Sequence, residues 1–393
     1  MKALKFVLLS LYIGIAIPAF STYVWTQKAS FPGAARVELA TFTIGGNGYI
    51  SCGIGYSNAK YNDCWQWNAS NNVWTQMASL PSSPRYGCSG FSINNKGYVV
   101  CGWATVSQQL NELWEYDQSS NSWTQKANFP GSARYTATSF VINNLAYVGL
   151  GYTPYFNDFY KYDGLTNSWT QIANFPGTAR QNASGLSLNG KGYVIGGHED
   201  ANNDFNDFYE YDPVTDSWTV KPNLFSNGRF GATEFTFNNL GFYGMGGTYQ
   251  TNFNDFYEYD PVSGVWTSIP SISGFSRKSS GTFSIGSAGY VYGGNFLNGL
   301  LSNELWELSN VSAINDVAQV SSVVYNSTTS HLMVNTHLSK PTILKIYDIK
   351  GKWIQSFSIR SGQQNVMLSL RLDPSVYLYQ FNNGVTGKLV VQY

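Results

Sequence analysis

The sequence predicts an all-β chain, a six-bladed β-propeller followed by a small β-sandwich. A Trp-Thr pair recurs every 46 to 49 residues, and an Arg lies eleven residues after each of these tryptophans. A fixed period in this range is typical of propellers and solenoids, because each unit is too small to bury its apolar face alone. The tryptophans are Trp25, Trp74, Trp123, Trp169, Trp218 and Trp266, and the arginines are Arg36, Arg85, Arg134, Arg180, Arg229 and Arg277.

Each repeat contains four short strands. In the copy that begins at Arg180, Asn189-Gly190 forms a two-residue turn of the kind that favours a β-hairpin. Asp212-Pro213 ends the third strand. Four strands with turn residues at fixed offsets describe one propeller blade. The predicted strands cover residues 182–188, 192–195, 208–211 and 217–219.

The two ends of the repeat region complement each other. Trp25 has no strands before it, and the last copy, from Arg277 to Leu308, has no closing Trp. We therefore expect residues 22–28 to supply the fourth strand of the last blade, which gives a propeller over 22–309. A ring closed in this way exposes no sheet edge to other chains.

The chain begins with a predicted signal peptide, residues 1–21. Lys2 and Lys5 precede an apolar run from Phe6 to Ile17, and the small residues Ala19 and Ser21 follow. That run is shorter than a membrane span and has the flanks of a cleaved leader. The expected location is secreted or at the outer cell surface, reached through the periplasm.

The sequence pattern changes after the repeats. Residues 310–319 are predicted to be a linker, and from 320 to 393 short alternating strands replace the repeat. Regular short strands over about seventy residues are typical of a small sandwich. The strands are expected around residues 332–334, 343–347, 353–357, 376–379 and 388–391.

Composition excludes several functions. Formal charge is zero and only 12% of residues are charged, so no basic field is available for nucleic acid. After the leader, no stretch could cross a membrane. No Cys-x-x-Cys, phosphate loop or nucleophile elbow is present, so we expect no cofactor and no metal. We also expect a monomer.

From Tyr23 to about Leu308 the residues resemble the kelch family. The features that match are the Arg, the Tyr-Val-Ile-Gly-Gly second strand, the Tyr-Asp pair and the spaced Trp. The first Gly of the pair is replaced by Cys52, Cys101 and Leu150, and the Gly246-Gly247 copy is shifted by one residue. The resemblance implies a propeller. Galactose oxidase is also a kelch propeller, but its copper site needs two His, and this propeller has one. A copper radical oxidase is therefore disfavoured.

The tail resembles the C-terminal sorting domain of the Bacteroidetes type IX secretion system. The match rests on residues 344–352, Tyr377-Leu378-Tyr379 and the closing residues 388–392. The family's prolines are missing at Tyr325-Asn326-Ser327-Thr328, and Pro374-Ser375 replaces its Ser-Gly. The resemblance implies that residues 320–393 engage the secretion machinery and are then removed.

The repeated arginines have two interpretations. Near one mouth of the channel, Arg36, Arg85, Arg134, Arg180, Arg229 and Arg277 could bind an anionic ligand through their planar forks of donors. Alternatively, each forms a structural ion pair with the acid that also repeats in every blade. Those acids are Asp63, Glu112, Asp158, Asp207, Asp255 and Glu304.

Three titratable residues break the repeat and are candidate catalytic groups. Glu234 and Glu38 stand in a first strand where other blades carry small or neutral residues. A desolvated carboxyl there could act as a general acid or base, or it could be solvated or paired with Arg. His198 precedes a loop rich in Asp and Asn. It could titrate near neutral pH, or the loop could hold Ca²⁺, although its spacing fits no known calcium loop.

The four cysteines lie in the first two blades. If Asn94-Asn95 forms the hairpin turn, Cys88 and Cys101 are opposed at disulfide distance. A bond between Cys52 and Cys64 is a further possibility. The alternative is that all four are buried thiols.

Two functions remain. The first is a secreted binding module whose variable loops, such as 152–156 and 249–253, bind a glycan or an extracellular protein. The second is a carbohydrate enzyme. Phe-Pro-Gly-x-Ala-Arg begins at Phe31, Phe129 and Phe175 and is similar to bacterial six-kelch sialic-acid mutarotases. Likeness of fold does not carry activity.

Overall fold

A computed structural model describes most of the chain. The described residues are 22–104, 108–201, 203–223, 227–272, 274, 276–311, 319–326, 331–337, 342–360, 366–373, 375–381 and 386–391. The predicted signal peptide lies outside them. The chain divides into two compact units, and the first covers Tyr23–Asn310. Within the described residues, no helix is both long and apolar enough to cross a membrane.

The first unit is a propeller of six four-stranded antiparallel sheets. Five blades use consecutive strands. The strands are β2 Ala40–Ile44, β3 Asn47–Ser51, β4 Cys64–Asn68 and β5 Val73–Met77; β6 Ser89–Ile93, β7 Lys96–Val100, β8 Leu113–Asp117 and β9 Ser122–Lys126; β10 Thr138–Ile142, β11 Leu145–Gly149, β12 Phe159–Asp163 and β13 Ser168–Ile172; β14 Ser184–Leu188, β15 Lys191–Ile195, β16 Phe208–Asp212 and β17 Ser217–Lys221; β18 Thr233–Phe237, β19 Leu240–Gly244, β20 Phe256–Asp260 and β21 Val265–Ile269.

The sixth blade joins the two ends of the propeller. Its sheet has the order β1-β26-β24-β23, so β1, the first strand of the described residues, lies beside the last strand of the propeller. These strands are β1 Thr22–Lys28, β23 Gly281–Ile285, β24 Ala288–Tyr292 and β26 Leu305–Val311. The two-residue strands β22 Arg277–Lys278 and β25 Asn295–Phe296 pair above them, and a short 3₁₀ helix covers Tyr56–Asn58. Part of the predicted linker therefore belongs to β26, and its residues 312–318 lie outside the described part.

Turn chemistry sets the register of each blade. In the fourth blade, Leu188 pairs with Lys191 across Asn189-Gly190, and both turn residues have positive φ, as the favoured hairpin turn requires. The predicted strands of this blade are confirmed, with one difference. The first strand begins at Ser184 and not at Asn182, because Asn182 has a left-handed backbone, with φ 52°.

Packing between blades relies on aromatic rings and on glycines, which leave space for those rings. A Cβ atom added to Gly192 would lie 2.2 Å from the ring of Phe140 in the preceding blade. The ring therefore occupies the space above the glycine. The repeated tryptophans also join blades: the indole Nε1 of Trp123 donates to the carbonyl oxygen of Ala78 at 2.8 Å. Such contacts explain why both residue types repeat with the blade.

The C-terminal unit contains two antiparallel sheets. One has the order β27-β28-β31 and the other β30-β29-β32-β33. Leu332, Val334, Leu344, Ile346 and Phe381 are fully buried in one core cluster. The predicted fold class, a propeller with a small β-sandwich, is confirmed. The strands are β27 Gln319–Asn326, β28 His331–His337, β29 Thr342–Asp348, β30 Trp353–Ile359, β31 Val366–Ser369, β32 Ser375–Phe381 and β33 Thr386–Val391.

Candidate functional site

A closed ring of backbone hydrogen bonds surrounds the central channel. One residue per blade, two positions after the repeated Arg, donates its amide to the carbonyl of the equivalent residue in the preceding blade. The six N···O distances run from 2.7 to 3.5 Å. All six residues have φ between 51° and 63°, a region that only Gly enters freely. The ring consists of Glu38, Gly87, Thr136, Asn182, Gly231 and Ser279.

The six repeated arginines support this ring from within the protein. Each is at most 2% exposed and pairs with the repeated acid of its own blade. In the third blade, Arg134 makes two bonds to Asp158, at 2.5 and 2.9 Å, and a third to the carbonyl of Leu150 at 3.0 Å. Arg36, Arg85, Arg134, Arg180, Arg229 and Arg277 therefore belong to the architecture, and the ligand-binding interpretation is corrected. In every blade the two terminal nitrogens of the guanidinium group bond to a backbone carbonyl and to the repeated carboxylate.

One mouth of the channel carries an aromatic cluster. The residue after each Arg pairs with the loop between the second and third strands, which brings Tyr86 beside Trp103 and Tyr135 beside Tyr152. The rings of Tyr86 and Trp103 are nearly parallel, with centroids 6.2 Å apart. Trp103 lies edge-on to Tyr135 at 4.7 Å, and Tyr155 touches Tyr152 at 4.7 Å. All five rings are half-buried and so retain exposed surface.

The other side of this mouth carries charge. Lys278 lies over the Phe230 ring, 4.5 Å from its centroid, and donates to the carbonyl of Thr248 at 2.7 Å. Burial raises the pKa of Glu38 to about 7, and the nearby Lys278 opposes that rise. Burial also lowers the pKa of Lys278 and raises that of Asp204 to about 6. A carboxyl whose pKa is raised to about 7 therefore lies close to Lys278, Tyr86 and Tyr135.

His198 does not titrate near neutral pH. Its ring stacks on Phe230 at 4.1 Å and the residue is only 2% exposed. Burial lowers its pKa to about 4, so the imidazole is neutral at pH 7, and that sequence-based expectation is wrong. In the loop that follows, Asp200 accepts hydrogen bonds from Asn203. Across the described residues, no three potential ligands converge on a metal position.

Glu234 lies deeper in the channel. It and Glu38 line the same cavity of about 120 Å³, but their carboxyls have different neighbours. Ser184 of the preceding blade donates to Glu234 Oε2 at 2.9 Å. Burial raises the pKa of Glu234 to about 8, with the bond from Ser184 opposing the rise. The carboxyl is thus mostly protonated at neutral pH.

The four cysteines are free and buried. No bond joins Cys88 to Cys101, because regular pairing of β6 with β7 ends at Ser89 and Val100, and Cys101 has a left-handed φ of 63°. Cys88 instead contacts Cys52 of the first blade. Cys52 and Cys64 are likewise unbonded. Buried thiols, the second alternative from the sequence, describe all four.

Several residues of the mouth escaped the sequence analysis. Tyr86, Tyr135 and Lys278 each follow a repeated Arg, at a position that varies from blade to blade. A residue that varies directly after the repeated Arg was the signal available in the sequence.

The structure also corrects the position of one Gly-Gly pair. Met245 occupies the first position of the Gly-Gly pair, since Arg229 donates to its carbonyl, so Gly246 is the second glycine and the copy is not shifted.

Comparisons with known proteins agree with the fold. A model of the Attractin/LZTR1 beta-propeller family matches residues 48–242. Among solved structures, the structure of YjhT superimposes with a TM-score of 0.63 at 16% identity, over 72% of this chain and 97% of YjhT. No curated protein matches the sequence. The chain therefore contains a β-propeller with kelch-type repeats, and at this identity the likeness to YjhT concerns the fold alone.

Proposed function

We propose that the propeller is a binding module that takes a glycan at the mouth formed by the aromatic cluster and Glu38. The observation that carries this proposal is the run of half-buried rings from Tyr86 through Trp103 and Tyr135 to Tyr152. Aromatic rings offer flat apolar faces to the C–H faces of a sugar, and a Tyr hydroxyl or Trp N–H is a polar group that can hydrogen-bond a sugar hydroxyl. Glu38 lies near Tyr86, Tyr135 and Lys278, and it offers a carboxyl to a sugar hydroxyl at this mouth.

The opposite mouth has a different character. It is formed by the hairpin turns, which contain Gly, Asn and one Ser and no aromatic residue. A ligand that needs a stacking face is therefore expected at the mouth with the aromatic cluster. Ligand sites are commonly concave and mostly apolar with a few polar groups, which fits this mouth.

A glycan array probed with the full chain tests the proposal. Trp103→Ala should lower the affinity for a bound glycan about tenfold or more, because loss of a central ring typically costs at least ~1.4 kcal/mol. Trp353→Ala is the matched control, since Trp353 is 58% exposed in the C-terminal unit. Equal binding by both variants would contradict a site at this mouth.

A carbohydrate enzyme of the sialic-acid mutarotase kind is the second candidate. The titratable Glu38 beside the rings is the feature that favours it. Exchange of sugar anomers can be followed by NMR with the wild type and with Glu38→Gln. Saturable exchange by the wild type, lost in the variant, would favour the enzyme, because removal of a general acid or base typically costs 10²–10⁴ in rate.

We also propose that residues 1–21 and 320–393 direct export, the second through the type IX secretion system. Support comes from the tail's sequence resemblance and from its separate sheets and core. In a host with that system, a chain without residues 320–393 should accumulate in the periplasm. Normal surface display of the truncated chain would contradict the proposal.

A further inference from the structure

Two cysteines of neighbouring blades face each other across the interface between those blades. Cys52 directly follows β3 of the first blade, and Cys88 directly precedes β6 of the second. Both belong to one packed core cluster, and an interaction with the Cys88 thiol is the largest influence that lowers the pKa of Cys52. We propose that Cys52 and Cys88 are a site of reversible oxidation, where hydrogen peroxide converts the two thiols into a disulfide between the first two blades.

The backbone brings these two residues together. Cys52 has a φ of 66°, which takes its side chain out of the alternation of β3. The next amide, of Gly53, donates to the carbonyl of Arg85 at 2.8 Å, and Arg85 lies three residues before Cys88. The fourth and fifth blades carry Gly196 and Ala232 at the equivalent positions, so they have no sulfur there. The thiol pair is therefore a property of this interface and not of the repeat.

An oxidant reaches the pair through the channel. Cys88 lines the cavity of about 120 Å³ and is 8% exposed, whereas Cys52, Cys64 and Cys101 have no exposed surface. A polar cavity of this volume admits molecules of the size of water or peroxide. It is too small for a tripeptide disulfide such as oxidised glutathione. Peroxide therefore meets Cys88 first.

The oxidation balances in two steps. Peroxide transfers one oxygen atom to the Cys88 thiol, which becomes a sulfenic acid, and one water leaves. The Cys52 sulfur then attacks the Cys88 sulfur, the S–O bond breaks, and the departing hydroxide takes up the Cys52 proton as a second water. Two thiols are oxidised and one peroxide is reduced to two waters.

The electrostatic surroundings favour Cys52 as the attacking group. The interaction with the Cys88 thiol is the largest influence that lowers the pKa of Cys52, and the positive charge of Arg85 adds to it. Burial raises the pKa of the competing Cys101 to about 12, which keeps that thiol protonated. Since the thiolate is the nucleophile, Cys52 is the better partner. Burial also raises the pKa of Cys88, so we expect a slow first step that needs excess peroxide.

Peptide mapping tests the pairing. The reduced full chain is treated with peroxide, denatured with its free thiols alkylated, and digested with trypsin. Cleavage after Arg36, Lys60, Arg85, Lys96 and Lys126 places each cysteine in a separate peptide. We expect a linked pair of peptides 37–60 and 86–96, loss of two of the four free thiols, and reversal by a reductant. An unchanged count of four thiols would overturn the proposal.

Variants distinguish a disulfide between Cys52 and Cys88 from one between Cys88 and Cys101. Cys52→Ala should abolish the linked pair, whereas Cys101→Ser should retain it. A link between Cys88 and Cys101, or a Cys52→Ala variant that still loses two thiols, would overturn the assignment. Cys88→Ala provides a second variant in case Cys52→Ala does not fold, and it too should keep its remaining thiols.

Discussion

Replacement of Glu234 by Gln should stabilise the propeller at alkaline pH and have little effect at acidic pH. In the folded chain, burial raises the pKa of this carboxyl from 4.5 to about 8. Below pH 4.5 the folded and unfolded states both hold the proton. Between pH 4.5 and 8 only the folded state holds it, so the free energy of unfolding of the wild type falls as pH rises. Gln has no proton to lose.

The size of the stability difference follows from the shift in the pKa of Glu234. One pKa unit corresponds to about 1.4 kcal/mol, so the full shift would give roughly 5 kcal/mol. The carboxyl faces a cavity that admits solvent, which screens its charge. We therefore expect roughly half, ~2–3 kcal/mol, as the gain of Glu234→Gln over the wild type above pH 8.

Urea denaturation of both proteins, followed by tryptophan fluorescence from pH 4.5 to 9, measures this difference. Contributions of all other groups cancel when the two curves are subtracted. Glu38→Gln is the matched control, because its pKa is raised to about 7 and its difference should level off a pH unit earlier. A difference between Glu234→Gln and the wild type that stays constant with pH would refute the buried, protonated state of Glu234.

Three further predictions concern the architecture. Deletion of residues 22–28 should lower the melting temperature sharply in a thermal scan, because Tyr23 is buried and β26 would lose its neighbour; an unchanged curve would contradict the place of β1. Arg134→Ala should cost about 3 kcal/mol in urea denaturation, since it leaves Asp158 without its partner; a loss under 1 kcal/mol would count against the pair. Gly192→Ala should destabilise the propeller by ~1–3 kcal/mol, because the added Cβ atom would clash with the ring of Phe140. Wild-type stability of this variant would show that the Phe140 ring can move aside.

Local sequence determined much of the blade. The Asn-Gly and Asn-Asn turns, the apolar alternation and the Asp-Pro stops depend on neighbours within a few residues, and the strands lie where these signals place them. Trp25, without strands before it, marked the segment that lies beside β26. Glu38 and Glu234 were recognisable because each departs from a position that the other blades hold small or neutral.

Contacts between blades were decided by the tertiary structure. The sequence shows that an Arg and an acidic residue recur in every blade. Only the structure shows that the two form a buried ion pair, so the Arg is not available to bind a ligand. The partner of Cys88 is Cys52 and not the residue opposite in its own hairpin, because a left-handed residue redirects the chain where pairing ends. The mouth combines loops from different blades, and their side chains come together only when the ring closes. Sequence spacing encodes neighbours along one strand, whereas blade closure and burial set the neighbours across the channel and the pKa of each group there.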